Sequence, residues 1–210
     1  METNPQKRVT RIYQCELRAL ENEDYGTYIA GTPIVFSAEA DLGYFKEIID
    51  RGALDETDLR DVPLFVNHNM DMIPLARSRR NNANSTMQLT PHEEGMDFRA
   101  NLDVENNATA KELYSAITRG DLDKMSFAFT IDKDEWEDLD SDYPTRHIKS
   151  ISKVYEISAV NFPAYNQTSI YASRSEDKEA LDNARHLVET KRAEERKAKI
   201  EEIRNILKEL

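Results

Sequence analysis

Histidine, serine and a carboxylate are the residue types needed to make a hydroxyl nucleophilic, and this chain carries them in order within short apolar, strand-like runs. His68 ends Phe65-Val66-Asn67-His68-Asn69, Ser126 lies in Lys124-Met125-Ser126-Phe127-Ala128-Phe129, and Glu156 lies in Val154-Tyr155-Glu156-Ile157-Ser158-Ala159-Val160. A serine hydroxyl is a poor nucleophile at neutral pH until a neighbouring imidazole removes its proton. The imidazole in turn needs an acceptor on its other ring nitrogen, which fixes the tautomer and stabilises the charge it acquires. The trio is the parts list of a serine hydrolase, with Glu156 as the orienting carboxylate. Residue types do not establish a triad by themselves, because its members meet only in three dimensions.

The elements that must position these residues follow from periodicity. Val9 to Leu20 alternates, with Tyr13, Cys15, Leu17 and Ala19 on one face, and reads as a half-buried strand. After a turn at Asn22 to Gly26, Tyr28 to Phe36 reads as a second strand broken by Gly31 and Pro33, the two forming a hairpin. Asp41 is placed to cap a short helix with Leu42, Phe45, Ile48 and Ile49 on one stripe and Gly52 after its end. Val62 to Val66 is a strand that delivers His68 at its far end. Thr86 to Thr90 and Met96 to Asp103 form a hairpin across Pro91 to Gly95, and Ala108 to Arg119 is a helix closed by Gly120.

Lys124 to Ile131 alternates, so Ser126, Ala128 and Thr130 face away from Phe127, Phe129 and Ile131. Ile148 to Phe162 resumes strand character, carries Glu156 and ends at Pro163. Between them, Asp132 to Asp142 is dense in carboxylates, but it lacks the glycine and terminal glutamate of an EF-hand loop and reads as a solvated acidic loop. No metal and no cofactor are assigned. Predominant strands with few helices and no βαβ rhythm give a mainly β, α+β class: a closed or semi-closed β-barrel with helices packed outside.

Beyond Ser173 the chain becomes charged and alanine-rich without Gly or Pro. Leu181, Ala184 and Val188, then Ile200, Ile203, Leu207 and Leu210, follow three- and four-residue steps. Two units are expected: residues 1–173 as the main domain and 174–210 as an amphipathic helical tail, either docked on the body or used for self-association. The tail holds ten acidic and ten basic residues, so the formal charge of −12 belongs to residues 1–173. An acidic body argues against general nucleic-acid binding, which needs clustered Lys and Arg. No run approaches the roughly 18 apolar residues of a membrane span, and Met1 to Arg8 has no apolar stretch behind it, so neither a membrane segment nor a secretion signal is expected. Cys15 is the only cysteine, which excludes an intramolecular disulfide and suits a reducing compartment; it reads as a small buried hydrophobe.

The words around the trio form a longer succession: Asp50-Arg51-Gly52-Ala53-Leu54, Asp61-Val62-Pro63-Leu64-Phe65-Val66-Asn67-His68-Asn69, Pro74-Leu75-Ala76-Arg77, Gly95-Met96, Ile117-Thr118-Arg119-Gly120-Asp121-Leu122, Met125-Ser126-Phe127-Ala128-Phe129 and Glu156-Ile157-Ser158-Ala159-Val160-Asn161-Phe162-Pro163-Ala164-Tyr165-Asn166. In this order they resemble the prohead maturation protease family of tailed bacteriophages, distantly similar to the herpesvirus assemblins. Ala76 and Ala128 stand where that family commonly has glycine, which matters only where a positive φ is required.

The resemblance implies an assemblin-like barrel and a serine endopeptidase in which Ser126 attacks, His68 is base then acid, and Glu156 orients His68. It implies action inside the assembling prohead in the host cytoplasm on the major capsid protein, scaffold and the protease's own termini, with the portal protein as a further candidate partner. His147 is the competitor for the third position, because assemblins use a second histidine there. Arg77, beside Arg79 and Arg80, is a candidate substrate-binding residue, whereas His92 and His186 read as surface residues. A non-catalytic capsid-scaffold module that keeps the fold is the alternative from another class. A small-ester hydrolase is disfavoured by the lack of a Gly-x-Ser-x-Gly elbow.

Overall fold

The computed structural model describes residues 8–13, 17–161 and 167–209. Cys15 and the Phe162 to Asn166 part of the longest motif lie outside them. The mainly β class with added helices is what the strands form, in two sheets. The larger has seven strands: β1 (Arg8–Tyr13), β4 (Glu39–Asp41), β5 (Lys46–Ile49), β6 (Asp61–Val66), β7 (Ala76–Arg79), β10 (Lys124–Glu137) and β11 (Thr145–Val160). The smaller runs β2 (Leu17–Asn22), β3 (Gly26–Val35), β9 (Gly95–Asn101) and β8 (Met87–His92). Among the described residues no pairing closes these sheets into one barrel, so the closed form is not observed.

Most expected elements are found near their predicted bounds. The helix α1 spans Ala108–Arg119, capped by the Asn107 side chain on the Ala110 N–H and closed by Gly120 in the left-handed conformation. Its Ala110, Leu113 and Ile117 are buried, in the core cluster that includes Leu17, Ile29, Met87, Phe98, Phe127 and Ile157. Phe127 and Phe129 stack at 4.7 Å on the face away from Ser126.

Three expectations need correction. Residues 41–49 are not a helix but the β4–β5 hairpin, in which Glu47 and Ile49 are buried and Lys46 and Ile48 less so. The apolar spacing fits either period. Gly43 at φ +83° breaks a helix here, and the Asp41 carboxylate accepts from the Gly43 N–H as a turn residue instead of a helix cap. Residues 9–20 are not one strand: β1 pairs with β10 in one sheet and β2 with β3 in the other, because alternation does not reveal a change of sheet. The first half of the acidic loop is strand, since β10 continues to Glu137 and Asp134 and Glu137 are paired with Arg146 and His147 across β11.

The helix α2 (Gln167–Glu209) runs without interruption through the boundary expected at residue 173. Its first half lies on the body: Leu181 is buried, Arg185 donates to the Leu139 and Ser141 carbonyls, and Arg192 pairs with Asp140. Ile200, Ile203, Ile206 and Leu207, further along, are exposed.

The hairpin β8–β9 turns through Glu93 and Glu94 and brings Gly95 against β3, where an added Cβ would lie 2.0 Å from the Ile34 carbonyl oxygen. Gly95→Ala is therefore expected to lower unfolding free energy by more than about 2 kcal/mol in urea titration. Glu94→Ala in the same turn, with an exposed side chain, should stay within about 0.5 kcal/mol of wild type.

Candidate active site

β11 is paired on both sides, antiparallel to β10 and parallel to β6, and this brings the three predicted residues to one place. Across the β10 ladder Ser126 lies opposite Ser158 and Ala128 opposite Glu156. Opposed residues share a face and alternate residues return to it, so these four side chains share one face. Ser126 and Glu156 are diagonal neighbours, about 7 Å apart between backbones in such a ladder. Ala128, and Ala76 on β7, are strand residues with no positive φ, so neither position needs glycine.

On the other side Val66 pairs with Ala159, and the chain then turns sharply. The Asn69 N–H donates to the Val66 carbonyl at 3.1 Å, with φ of 52° at Asn67 and 56° at His68. Two successive left-handed residues are the type I′ pattern, and Asn and His are among the non-glycine residues that tolerate it. Asn67 is fixed at both ends: its N–H donates to the Ala159 carbonyl and its Oδ1 accepts from the Asn161 N–H. This strained, pinned turn returns the His68 ring to β11.

There His68 Nδ1 lies 2.6 Å from Glu156 Oε1. The Ser158 hydroxyl donates to Glu156 Oε2 at 2.6 Å and accepts from the His68 N–H at 3.2 Å, so one serine fixes both the carboxylate and the histidine backbone. Glu156 is fully buried, and a buried carboxylate requires such partners in place of water. Arg8 adds a guanidinium 3.8 Å from Oε1. The second ring nitrogen of His68, Nε2, is buried and has no hydrogen-bond partner among the described residues. Ser126 is fully buried, and its hydroxyl donates to the Arg11 carbonyl at 2.8 Å.

The other predicted residues lie elsewhere. His147 has Nδ1 on Asp50 at 2.9 Å and Nε2 on Glu137 at 3.2 Å, so the histidine–carboxylate contact of the site is made by His68 with Glu156. Arg77 forks onto Asp61 at 2.6 and 2.7 Å, which raises the guanidinium pKa and lowers that of the carboxyl. His92 lies 3.3 Å from Asp97, and His186 is exposed on α2. Among the described residues no cluster of His, Cys, Asp and Glu has the arrangement of a metal site. Sequence reasoning gave no role to Ser158 or Arg8. For Ser158 the signal was present, since it stands two residues from Glu156 on an alternating strand.

A family model described as Caudovirus prohead serine protease matches residues 13–183. The prohead protease of Enterobacteria phage HK97 is 30% identical over 119 residues, covering 56% of this chain and 47% of that protein. The matched part thus spans about half the length of that curated relative. No solved structure matches.

The His147 cluster carries a pH signature of its own. The hydrogen bond to Asp50 raises the His147 pKa above 6.5, burial opposes this, and Glu137 adds to the rise. At Asp50 burial pushes the pKa up, but hydrogen bonds from Lys149 and His147 outweigh it and leave the carboxyl below 3.8. A raised folded-state pKa means that the pair's stabilisation is complete below the unfolded value of 6.5 and is lost as pH rises through the folded one. His147→Gln is expected to flatten the decline in urea stability between about pH 6 and pH 9 relative to wild type.

Proposed function

The chain belongs to the Caudovirus prohead serine protease family, and on that premise we propose that it is a capsid-maturation endopeptidase working by a Ser126–His68–Glu156 triad. The observation that carries this reading is the His68–Glu156 contact at 2.6 Å beside an unpartnered, buried His68 Nε2, with Ser126 on the adjoining strand and the same face. Glu156 accepts the Nδ1 proton, which leaves Nε2 as the basic nitrogen, free to accept a proton from a hydroxyl. His68 Nε2 takes the Ser126 proton as Oγ bonds to the scissile carbonyl carbon. It returns that proton to the departing amine as the peptide C–N bond breaks. Water then hydrolyses the acyl-serine by the same proton route in reverse. Ser158 holds Glu156 from behind and is a positioning residue.

The substrates proposed are scaffold or scaffold-like segments of the major capsid protein and the protease's own chain, inside the assembling prohead of the host cell. The portal protein is a further candidate partner, and the exposed apolar side chains of α2 beyond Lys199 are the proposed surface for self-association or scaffold binding. The main protease unit is proposed to include the docked part of α2. A second reading, a capsid-interaction module without catalysis, is favoured by one observation: the Ser126 hydroxyl is buried on the Arg11 carbonyl.

An intact-mass time course at concentrations that permit self-association separates the two. Wild type should lose peptides while Ser126→Ala stays whole, and His68→Ala should match Ser126→Ala. On a peptide substrate Glu156→Gln should lower kcat by about 10²- to 10⁴-fold, because the wrong tautomer of His68 then dominates. Equal cleavage in wild type and Ser126→Ala would remove the triad, and intact chains with normal capsid assembly would favour the non-catalytic module.

A further inference from the structure

β1 crosses the site in a way the triad does not require. It lies antiparallel on the outer edge of β10, with Ile12 opposite Ser126 and Arg11 opposite Phe127, and it ends the strand order of its sheet, so among the described residues its one backbone ladder is with β10. It meets both ends of the catalytic set: the Arg11 carbonyl takes the Ser126 hydroxyl at 2.8 Å, and the Arg8 guanidinium lies 3.8 Å from Glu156.

The Arg11 side chain is only 4% exposed and enters a pocket of its own. Its Nε and Nη2 lie 2.5 and 3.1 Å from the two oxygens of Glu47, and Nη2 lies 2.9 Å from Asp177 Oδ1. Glu47 comes from β5 and Asp177 from α2, and both are buried, so two carboxylates from distant elements converge on one guanidinium. Burying carboxylates is costly unless a cation accompanies them. Arg146 also pairs with Glu47, its Nη1 3.5 Å from Oε2, while its Nε bonds to Asp134 at 2.6 Å.

We propose that Glu47 and Asp177 form the pocket that receives a basic side chain of the extended peptide substrate, and that β1 fills this slot as an internal stand-in with Arg11 in the recognised position. The inference rests on Ser126 being the nucleophile. A substrate strand seated as β1 is brings the carbonyl group at the Arg11 position within reach of Ser126 Oγ; the residue whose carbonyl carbon is attacked precedes the scissile bond, and its side chain is the one a protease pocket selects. Strand addition to a free sheet edge is a general mode of peptide recognition, so a substrate segment takes the β10 edge by displacing β1. Arginine suits the pocket best, because its planar fork meets a carboxylate through two bonds, with lysine next. A neutral side chain forfeits the charge-assisted bonds to both carboxylates, and an acidic one adds repulsion between like charges.

The test uses the full chain with peptidyl diphenyl phosphonates carrying an arginine, lysine, norleucine or glutamate side chain beside the phosphorus. Ser126 Oγ bonds to phosphorus, one P–O bond to phenyl breaks, and phenol leaves with the serine proton, so each adduct is read by intact mass. The arginine probe should label wild type at least about tenfold faster than norleucine, with glutamate slowest and Ser126→Ala unlabelled. Glu47→Gln and Asp177→Asn should each bring the arginine-to-norleucine ratio, taken within the same variant, toward one. Ser126-dependent labelling in which norleucine matches arginine in wild type overturns the pocket and leaves the nucleophile standing. Wild type labelled no faster than Ser126→Ala overturns the nucleophile, and the pocket with it. The wild-type ratio decides the matter even where a pocket variant folds poorly.

Discussion

The site depends on the register of β11 between β10 and β6. A one-residue slip of β11 against β10 would turn Glu156 and Ser158 to the opposite face, while Ser126 stayed where it is. A slip against β6 would move the Asn67–His68 turn along β11 and break its bonds to Ala159 and Asn161. The irregularities of the β10–β11 ladder begin only after Ala128, so the stretch from Lys124 to Ala128 is regular and the bends fall beyond the residues that gather around Glu156. Curvature and the register that brings Ser126 near Glu156 are thus separated along one pair of strands.

Within that frame, local chemistry does the fine placement. Glu156 is buried, so its oxygens must be satisfied, and they are divided between His68 and Ser158. The same Ser158 hydroxyl accepts from the His68 backbone N–H, which ties the strained turn to the carboxylate that orients its ring. Left-handed φ at two successive non-glycine residues is unfavourable on its own, and it persists because Asn67 is bonded at both ends. The strain falls on the residue whose ring must be aimed.

The nearness of His68, Ser126 and Glu156 was legible because Ser126 and Glu156 sit in strands whose alternation fixes their face and His68 directly follows one, and Ser126 does face away from Phe127 and Phe129. The helix at 108–119 was legible because cap, stripe and closing glycine all agree. The hairpin at 39–49 was not, since Leu42, Phe45, Ile48 and Ile49 satisfy a helical stripe as well as a strand, and Gly43 alone argued against the helix. That misreading hid Glu47, whose inward direction exists only in the strand. The path of β1 was hidden for a different reason: an alternating strand shows which side is buried but not which sheet receives it, and pairing with β10 is a long-range choice.

Arg11, Glu47 and Asp177 show what kind of design the β1 slot is. If packing alone were at issue, apolar side chains at these positions would fill the space without desolvating three charges, and such replacements are often neutral or stabilising. A buried charged set is poor evidence for stability, and the discrimination proposed for it follows from the cost it sets on any occupant that does not bring a cation. It also couples elements that are far apart in the chain. Asp177 belongs to α2, so a cation in the slot helps to hold the helix on the body, and an empty slot leaves that carboxylate without the guanidinium of Arg11. A substrate strand with a basic residue in the place of β1 would keep this tie, and loss of β1 would remove it. The Arg11–Asp177 pair is thus one tie between β1 and α2, beside buried Leu181 and the Arg185 and Arg192 contacts that hold the helix independently of it.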